Sequence, residues 1–182
     1  MAKPTPSQTV GPFFARELLW GDGDKVLFPG QGDRITLTGR VFDGAGAPIF
    51  DALFETWQAD AAGKIPSGGD GARPYGYGRV STDTDGRYAI ETVMPGSFRG
   101  PGGETYAPQI SVTIFARGLL KAVQTRVFLA PLEAIKDDPL ARAISDPDRL
   151  RTLIAARDPG DPKIYRWDVR LRGAGEAVFI EL

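Results

Sequence analysis

The stretch Arg34-Ile35-Thr36-Leu37-Thr38-Gly39-Arg40-Val41-Phe42 alternates apolar and polar side chains, then stops at the turn cluster Asp43-Gly44-Ala45-Gly46-Ala47-Pro48. That rhythm recurs down the chain and constrains the fold more than any other feature. Successive side chains of an extended strand point to opposite faces, so a two-residue period marks a strand with one buried face. Ala52–Gln58, Arg79–Thr82, Arg87–Val93, Gln109–Phe115 and Gln124–Leu129 read as further strands, and Tyr165–Leu171 and Ala177–Leu182 complete the set. Glycine and proline, 23 and 15 of them, punctuate these segments and set their turns. Asp83-Thr84-Asp85-Gly86 is a hairpin signal, and Ala61–Tyr77 is too rich in glycine and proline for regular structure. One helix is predicted over 146–156, from a capping aspartate, a first-turn proline at Pro147 and an apolar face. A weaker helical signal covers Leu132–Ile144. The expected fold is all-β: an antiparallel β-sandwich with an irregular N-terminal arm over 1–33 and one short helical insertion before the C-terminal strands. Residues 1–182 are expected to form a single domain.

Charge excludes several functions. Lys plus Arg is 22 and Asp plus Glu is 23, so the net charge of −1 offers no pull on nucleic acid or an anionic membrane. No apolar run approaches a membrane span, and residues 1–10 lack the apolar centre of a secretory signal. A cytoplasmic location is the expectation. The arm carries large apolar groups, Phe13, Phe14, Trp20 and Phe28, in an irregular segment, so it must lie against something. Composition favours packing over its own domain; the other reading is an arm that reaches across a subunit interface.

The chain contains neither histidine nor cysteine. Ser-His-Asp and Cys-His nucleophiles and the usual zinc sites are therefore excluded. Positions 109 and 111 share one face of a predicted strand and are placed to present two ligands to one ion, but they hold Gln109 and Ser111, which are poor ligands for a transition metal. No phosphate-binding glycine loop follows a strand. The carboxylate pairs Asp83/Asp85 and Asp137/Asp138 lie in expected turns, where solvated caps outnumber metal ligands. Tyr75 and Tyr77 are phenols in a loop, where packing is the commoner role.

Taken together, Thr5-Pro6-Ser7-Gln8-Thr9-Val10-Gly11-Pro12-Phe13, Val41 to Gly46, Glu55-Thr56-Trp57-Gln58-Ala59-Asp60, Met94-Pro95-Gly96 and Ala107-Pro108 to Gly118 resemble the intradiol ring-cleavage dioxygenases. The resemblance runs in consistent order from Thr5 to Leu182. It implies a β-sandwich, and a non-haem ferric ion held by two tyrosines and two histidines in the iron-bearing members. It also implies that Gln109 and Ser111 stand at the histidine pair and that Phe98 stands at one tyrosine. Loop 61–78 is too short to keep the other tyrosine, and Tyr106 replaces an arginine. Within the family, the arm, the Phe115-Ala116-Arg117-Gly118 turn and the tail are most similar to α subunits, which have lost these ligands. The implied partner is a β subunit carrying the Fe(III), and the implied substrates are protocatechuate and dioxygen. No metal and no catalytic residue are expected on this chain alone. By the same resemblance, Thr9, Gly11, Pro12, Phe13 and Arg117 are the substrate-binding candidates, lining the mouth of the partner's pocket. Thr9 brings a hydroxyl donor, Pro12 a fixed φ, Gly11 a close backbone approach and Phe13 a packing surface. Arg117 brings positive potential for a carboxylated ring. Two other readings stay open: a divergent homomeric dioxygenase binding iron through tyrosines or carboxylates, and a β-sandwich binding module without catalytic function.

Overall fold

The computed structural model describes Gly11, residues 14–30, 32–71 and 73–181. After a one-turn helix α1 (Phe14–Glu17), the chain forms β1 (Arg34–Phe42), β2 (Leu53–Gln58), the two-residue pair β3 (Gly69–Asp70) and β4 (Arg73–Pro74), β5 (Tyr77–Ser81) and β6 (Arg87–Val93). A second two-residue pair, β7 (Phe98–Arg99) and β8 (Thr105–Tyr106), precedes the long strands β9 (Gln109–Phe115) and β10 (Val123–Phe128). Three short helices follow: α2 (Leu132–Ile135), α3 (Pro139–Ala143) and α4 (Pro147–Arg151). The chain closes with β11 (Ala156–Arg157), β12 (Ile164–Arg166) and β13 (Val169–Arg170).

Two sheets face each other. One has the order β10-β9-β2-β5, antiparallel throughout. The other is built on β1, which pairs antiparallel with β6 on one side and parallel with β12 and β13 on the other. Between the sheets lie Leu37, Phe54, Ile90, Ile110, Val112 and Ile114, all at most 2% exposed. Burial of that apolar surface, worth about 1.5–3 kcal/mol for each large side chain, is the main force holding the sheets together. Phe54 and Tyr88 stack across the gap with centroids 4.3 Å apart, and Tyr88 Oη donates to the Trp167 carbonyl at 2.7 Å. Burial pushes the Tyr88 phenol well above its ordinary pKa, so it remains a donor at any physiological pH.

Four expectations change. The C-terminal strands run parallel to β1, because the chain returns to the sheet through the helical excursion and no tight hairpin joins them. Asp83–Gly86 is not a hairpin turn: β5 belongs to one sheet and β6 to the other, so this turn carries the chain across the sandwich. Its geometry is still fixed locally, since the Asp83 carboxylate accepts from the Asp85 and Arg87 amides at 2.9 and 2.8 Å. Chiefly the Arg87 amide holds that carboxyl below its usual range. The single helical insertion is three short helices, and α4 stops at Arg151, five residues before the predicted end. The Leu153 carbonyl and the Ala155 amide are taken instead by Phe128 at the end of β10 (2.7 and 3.0 Å), which draws the segment out of helix. Residues 177–181 form no strand; Ile180 makes one isolated bridge to Gln124.

Close backbone approach also shapes the sheet around β1. A Cβ on Gly39 would lie 1.9 Å from the Trp167 carbonyl oxygen, the same atom that accepts from Tyr88. Gly39→Ala is expected to destabilise the protein by about 1–3 kcal/mol through overpacking, read as a lower urea midpoint with an unchanged slope.

Candidate functional site

The pleat separates two kinds of residue on β9. Ile110, Val112 and Ile114 enter the core, while Gln109, Ser111 and Thr113 lie on the opposite face of the sheet. Strand register then sets their neighbours. Ser111 sits between Trp57 of β2 and Arg126 of β10, and Thr113 sits between Glu55 and Gln124. On β5, Tyr77 and Arg79 extend these two rows beyond Trp57 and Glu55.

At the α-helical end of this face, Gln109 is buried and held from both sides. Its Nε2 donates to Asp138 Oδ2 at 3.3 Å, and its Oε1 accepts from Arg126 Nη1 at 3.3 Å. Asp138 is itself buried and accepts from the Ala107 amide (2.8 Å) and from the Leu140 amide (2.9 Å), which caps α3. The expectation of a solvated turn carboxylate therefore fails for Asp138, because the helical segment folds back over the end of β9. Arg126 lies over the Tyr106 ring at 5.4 Å, and Tyr106 stacks on Phe98 with centroids 4.9 Å apart and planes 11° from parallel.

These residues do not fit a ferric ion. The strand carries a primary amide and a hydroxyl where the family resemblance implies imidazoles, and a benzene ring where it implies a phenolate. A guanidinium beside Gln109 adds a fixed positive charge that opposes a second cation. Among the described residues, no three His, Cys, Asp or Glu side chains come together as a metal site.

The other end of the face holds the arm. Phe14 packs on Phe115 at 6.5 Å, and three residues span at most about 11 Å. Gly11, three residues before Phe14, therefore lies within about 11 Å of the Phe14 Cα. Its φ of +83° is a left-handed conformation that favours glycine, and no described residue comes within 4 Å of where a Cβ would stand. Thr9, Pro12 and Phe13 lie outside the described residues. Arg117 is largely exposed and pairs with Asp51 of its own chain, both Nε and Nη2 lying 2.6 Å from Oδ2. It also lies over the exposed Phe50 ring at 5.2 Å.

Sequence reasoning missed the clamp that seats the arm. Arg79 donates to the Leu18 carbonyl (2.7 Å), to Glu55 (2.5 Å) and to Tyr77 Oη (3.1 Å), and its guanidinium lies 4.6 Å over Trp20. Trp20 in turn stacks on Tyr77 at 5.8 Å. Burial first, then the neighbouring Glu55, push the Tyr77 phenol up to about 12, so it is a neutral packing group as expected, although it opens strand β5 and does not lie in a loop. The only signal in the sequence was period-2 placement of Arg79 beside aromatics whose partners are far away along the chain. The segment around Trp20 thus packs on its own sheet.

With this geometry in place, similarity to known proteins can be weighed. Residues 11–173 match the family model described as Dioxygenase, and the chain belongs to that family. It is 39% identical to the protocatechuate 3,4-dioxygenase alpha chain of Burkholderia cepacia, over 99% of this chain and 98% of that one. Identity to the alpha chain of Pseudomonas putida is 34%, over 97% and 96%. The beta chain from B. cepacia is more distant, at 30% over 78% of this chain and 66% of that one. In fold, the chain is similar to the dioxygenase domain of a dioxygenase–carbohydrate-binding fusion from Streptomyces sp. SirexAA-E. The TM-score is 0.59 at 24% identity, covering 94% of this chain and 99% of that domain.

Arg79→Met removes three hydrogen bonds and the cation over Trp20. Local opening of residues 14–20 should become on the order of tenfold more frequent, equivalent to about 1.4 kcal/mol. The readouts are faster limited proteolysis within that segment and red-shifted tryptophan emission.

Proposed function

We propose that this chain is the α-type, metal-free subunit of a protocatechuate 3,4-dioxygenase, paired with a β-type subunit that holds the ferric ion. The observation that carries this reading is the near-full-length similarity to alpha chains, stronger than to the beta chain of the same organism, joined to a ligand set replaced by Gln109, Ser111 and Phe98. The reaction adds both atoms of dioxygen to protocatechuate and opens the ring between its hydroxyls, giving 3-carboxy-cis,cis-muconate. The ring-opening chemistry belongs to the partner's iron. This chain contributes a wall of the substrate pocket.

In that wall, Thr9, Gly11, Pro12 and Phe13 supply the arm and Arg117 supplies a cation. The exposure of Arg117 supports this role: its side chain is 61% accessible, although Asp51 holds one edge of the guanidinium. A planar guanidinium with free N–H groups can still receive a carboxylate as a bidentate pair. The clamp of Arg79 on Leu18 and Trp20 keeps the arm's origin close to the sheet, so ordering its tip costs less entropy than ordering a free tail. The interfacial role of residues 1–33 is part of the same proposal.

The test is co-expression with an iron-bearing β-type chain, purification through a tag on this chain alone, and assay of iron and oxygen uptake with protocatechuate. Activity and iron are expected in the complex and absent from the isolated chain. An active, iron-loaded isolated chain would refute the proposal. Arg117→Ala is expected to lower kcat/KM for protocatechuate by about 10–100-fold, the equivalent of about 1.4–3 kcal/mol for a charge-assisted contact. Uncarboxylated catechol should be affected much less, and an equal loss on both substrates would assign Arg117 a structural role. Removal of residues 1–13 should raise KM or weaken assembly while leaving the far-ultraviolet circular dichroism unchanged.

A further inference from the structure

The face that lost the metal ligands keeps a cleft. It measures about 470 Å³ and is lined by Ile65, Phe98, Arg99, Pro101, Tyr106 and Arg126. That size lies within the range of small-ligand sites, roughly 300–1,000 Å³. Its polar and apolar parts are segregated. Phe98 and Tyr106 form a stacked pair of half-buried rings, and Ile65, 45% exposed, adds an apolar rim.

The positive charge in this cleft has no carboxylate in direct contact, although the Glu104 carboxylate lies at its edge beside Gly100. Among the described residues, neither Arg126 nor Arg99 lies within 4 Å of a carboxylate, a property they share with Arg34, Arg40, Arg73, Arg157, Arg170 and Arg172; Arg126 differs in facing a pair of stacked rings. The nearby Asp138 is turned away from Arg126, with Oδ2 committed to the Ala107 amide and Gln109 and Oδ1 to the Leu140 amide. Among the described residues, the Arg126 side chain makes one long hydrogen bond, at 3.3 Å, to the carbonyl end of Gln109. The Gln109 amide is polarised by this arrangement, its donor toward Asp138 and its acceptor toward Arg126, and so orients the guanidinium without neutralising it. A larger cleft of about 580 Å³ offers a contrast. There Lys25 is paired with Asp22, Arg73 is bound to the Asp22 and Lys25 carbonyls, and Glu91 and Asp161 share the lining with Arg34 and Lys163, so the cations of that cleft lie among carboxylates.

We propose that this cleft is a metal-independent binding site for a small aromatic carboxylate, whose carboxylate pairs with Arg126 and whose ring packs on the Phe98–Tyr106 shelf. A partly buried guanidinium without a counterion bears a desolvation cost that a bound anion relieves. Its planar fork matches a planar carboxylate in two parallel hydrogen bonds. A ring attached directly to that carboxylate then lies next to two aromatic faces, where offset or tilted contacts are favourable. Arg99 at the rim adds long-range attraction for the anion. The fixed charge that excludes a cation from this face thereby selects an anion. This site needs nothing from the partner's iron and stands or falls independently of the role proposed above.

The test uses the full-length chain, alone and in complex with its partner, titrated with 3-fluorobenzoate and followed by fluorine NMR. Neutral 3-fluorobenzamide tests the charge, and competition by cyclohexanecarboxylate tests the ring. In both forms of the protein, a component of 3-fluorobenzoate binding is expected to weaken at least tenfold in Arg126→Met. Arg126→Lys should retain part of it, and Phe98→Ala should weaken it several-fold. The amide should show no Arg126-dependent binding, and cyclohexanecarboxylate should compete poorly. Identical titrations for the wild-type and Arg126→Met proteins would overturn the proposal. So would Arg126-dependent binding seen in the isolated chain and lost in the complex, since the arginine would then be an interface residue whose anion comes from the partner. If Arg126→Met does not fold by circular dichroism, Arg126→Lys and Phe98→Ala decide alone: both unchanged from wild type overturns the assignment.

Discussion

The two faces of β9 obey different rules, and the rest of the molecule depends on that separation. Ile110, Val112 and Ile114 are buried at 2% exposure or less and bind the four-stranded sheet to the sheet built on β1. Gln109, Ser111 and Thr113, one residue out of phase, make no demand on that core. A strand of this kind keeps its register as long as the inward residues stay apolar, because a one-residue slip would bury the polar set. Its outward residues are free to change chemistry. A site can lose its imidazoles in this way without loss of the fold.

What replaced them has its own internal order. Asp138, Gln109 and Arg126 form a chain of hydrogen bonds running from the buried cap of α3 to the open cleft. The carboxylate end is satisfied by backbone amides, and the guanidinium end meets aromatic rings. Buried polar groups are costly unless partnered, and each member of this chain has a partner on at least one side. The short helices matter here because they bring Asp138 over the end of β9; without them Gln109 would face solvent. At the opposite end of the same face, Arg79 performs a comparable task for the arm, joining Glu55, Tyr77, Trp20 and the Leu18 carbonyl. Both constructions attach an irregular segment to a rigid sheet through one charged side chain, Asp138 at one end and Arg79 at the other.

Much of the fold was legible in the sequence, and the failures have physical causes. β1, β6 and β9 begin and end where the alternation begins and ends, because each has one face in the core and turn residues at both ends. The Asp83–Gly86 turn was misassigned as a hairpin because an aspartate turn satisfies its own amides in the same way whether the next strand pairs with the last or crosses to the other sheet. The end of α4 was misplaced because Phe128, distant in sequence, takes the backbone groups that would have continued it. In the candidate site, the absence of imidazole and thiolate ligands was plain from composition. The roles of Asp138 and Arg126 were not, since each looks like an ordinary turn or strand residue until the helices and the cleft are in place.

By itself, the sequence determined most of the long strands, the absence of histidine and cysteine, and membership of a dioxygenase family. Those properties reside in residue types and local spacing. Only the tertiary structure decided which charges are compensated. Arg117 meets Asp51 across 66 residues and Arg79 meets Glu55 across 24, whereas no carboxylate among the described residues comes within range of Arg126. Pairing of that kind depends on distances set by sheet register and helix placement, and residues far apart in the chain acquire those distances only when the core has closed.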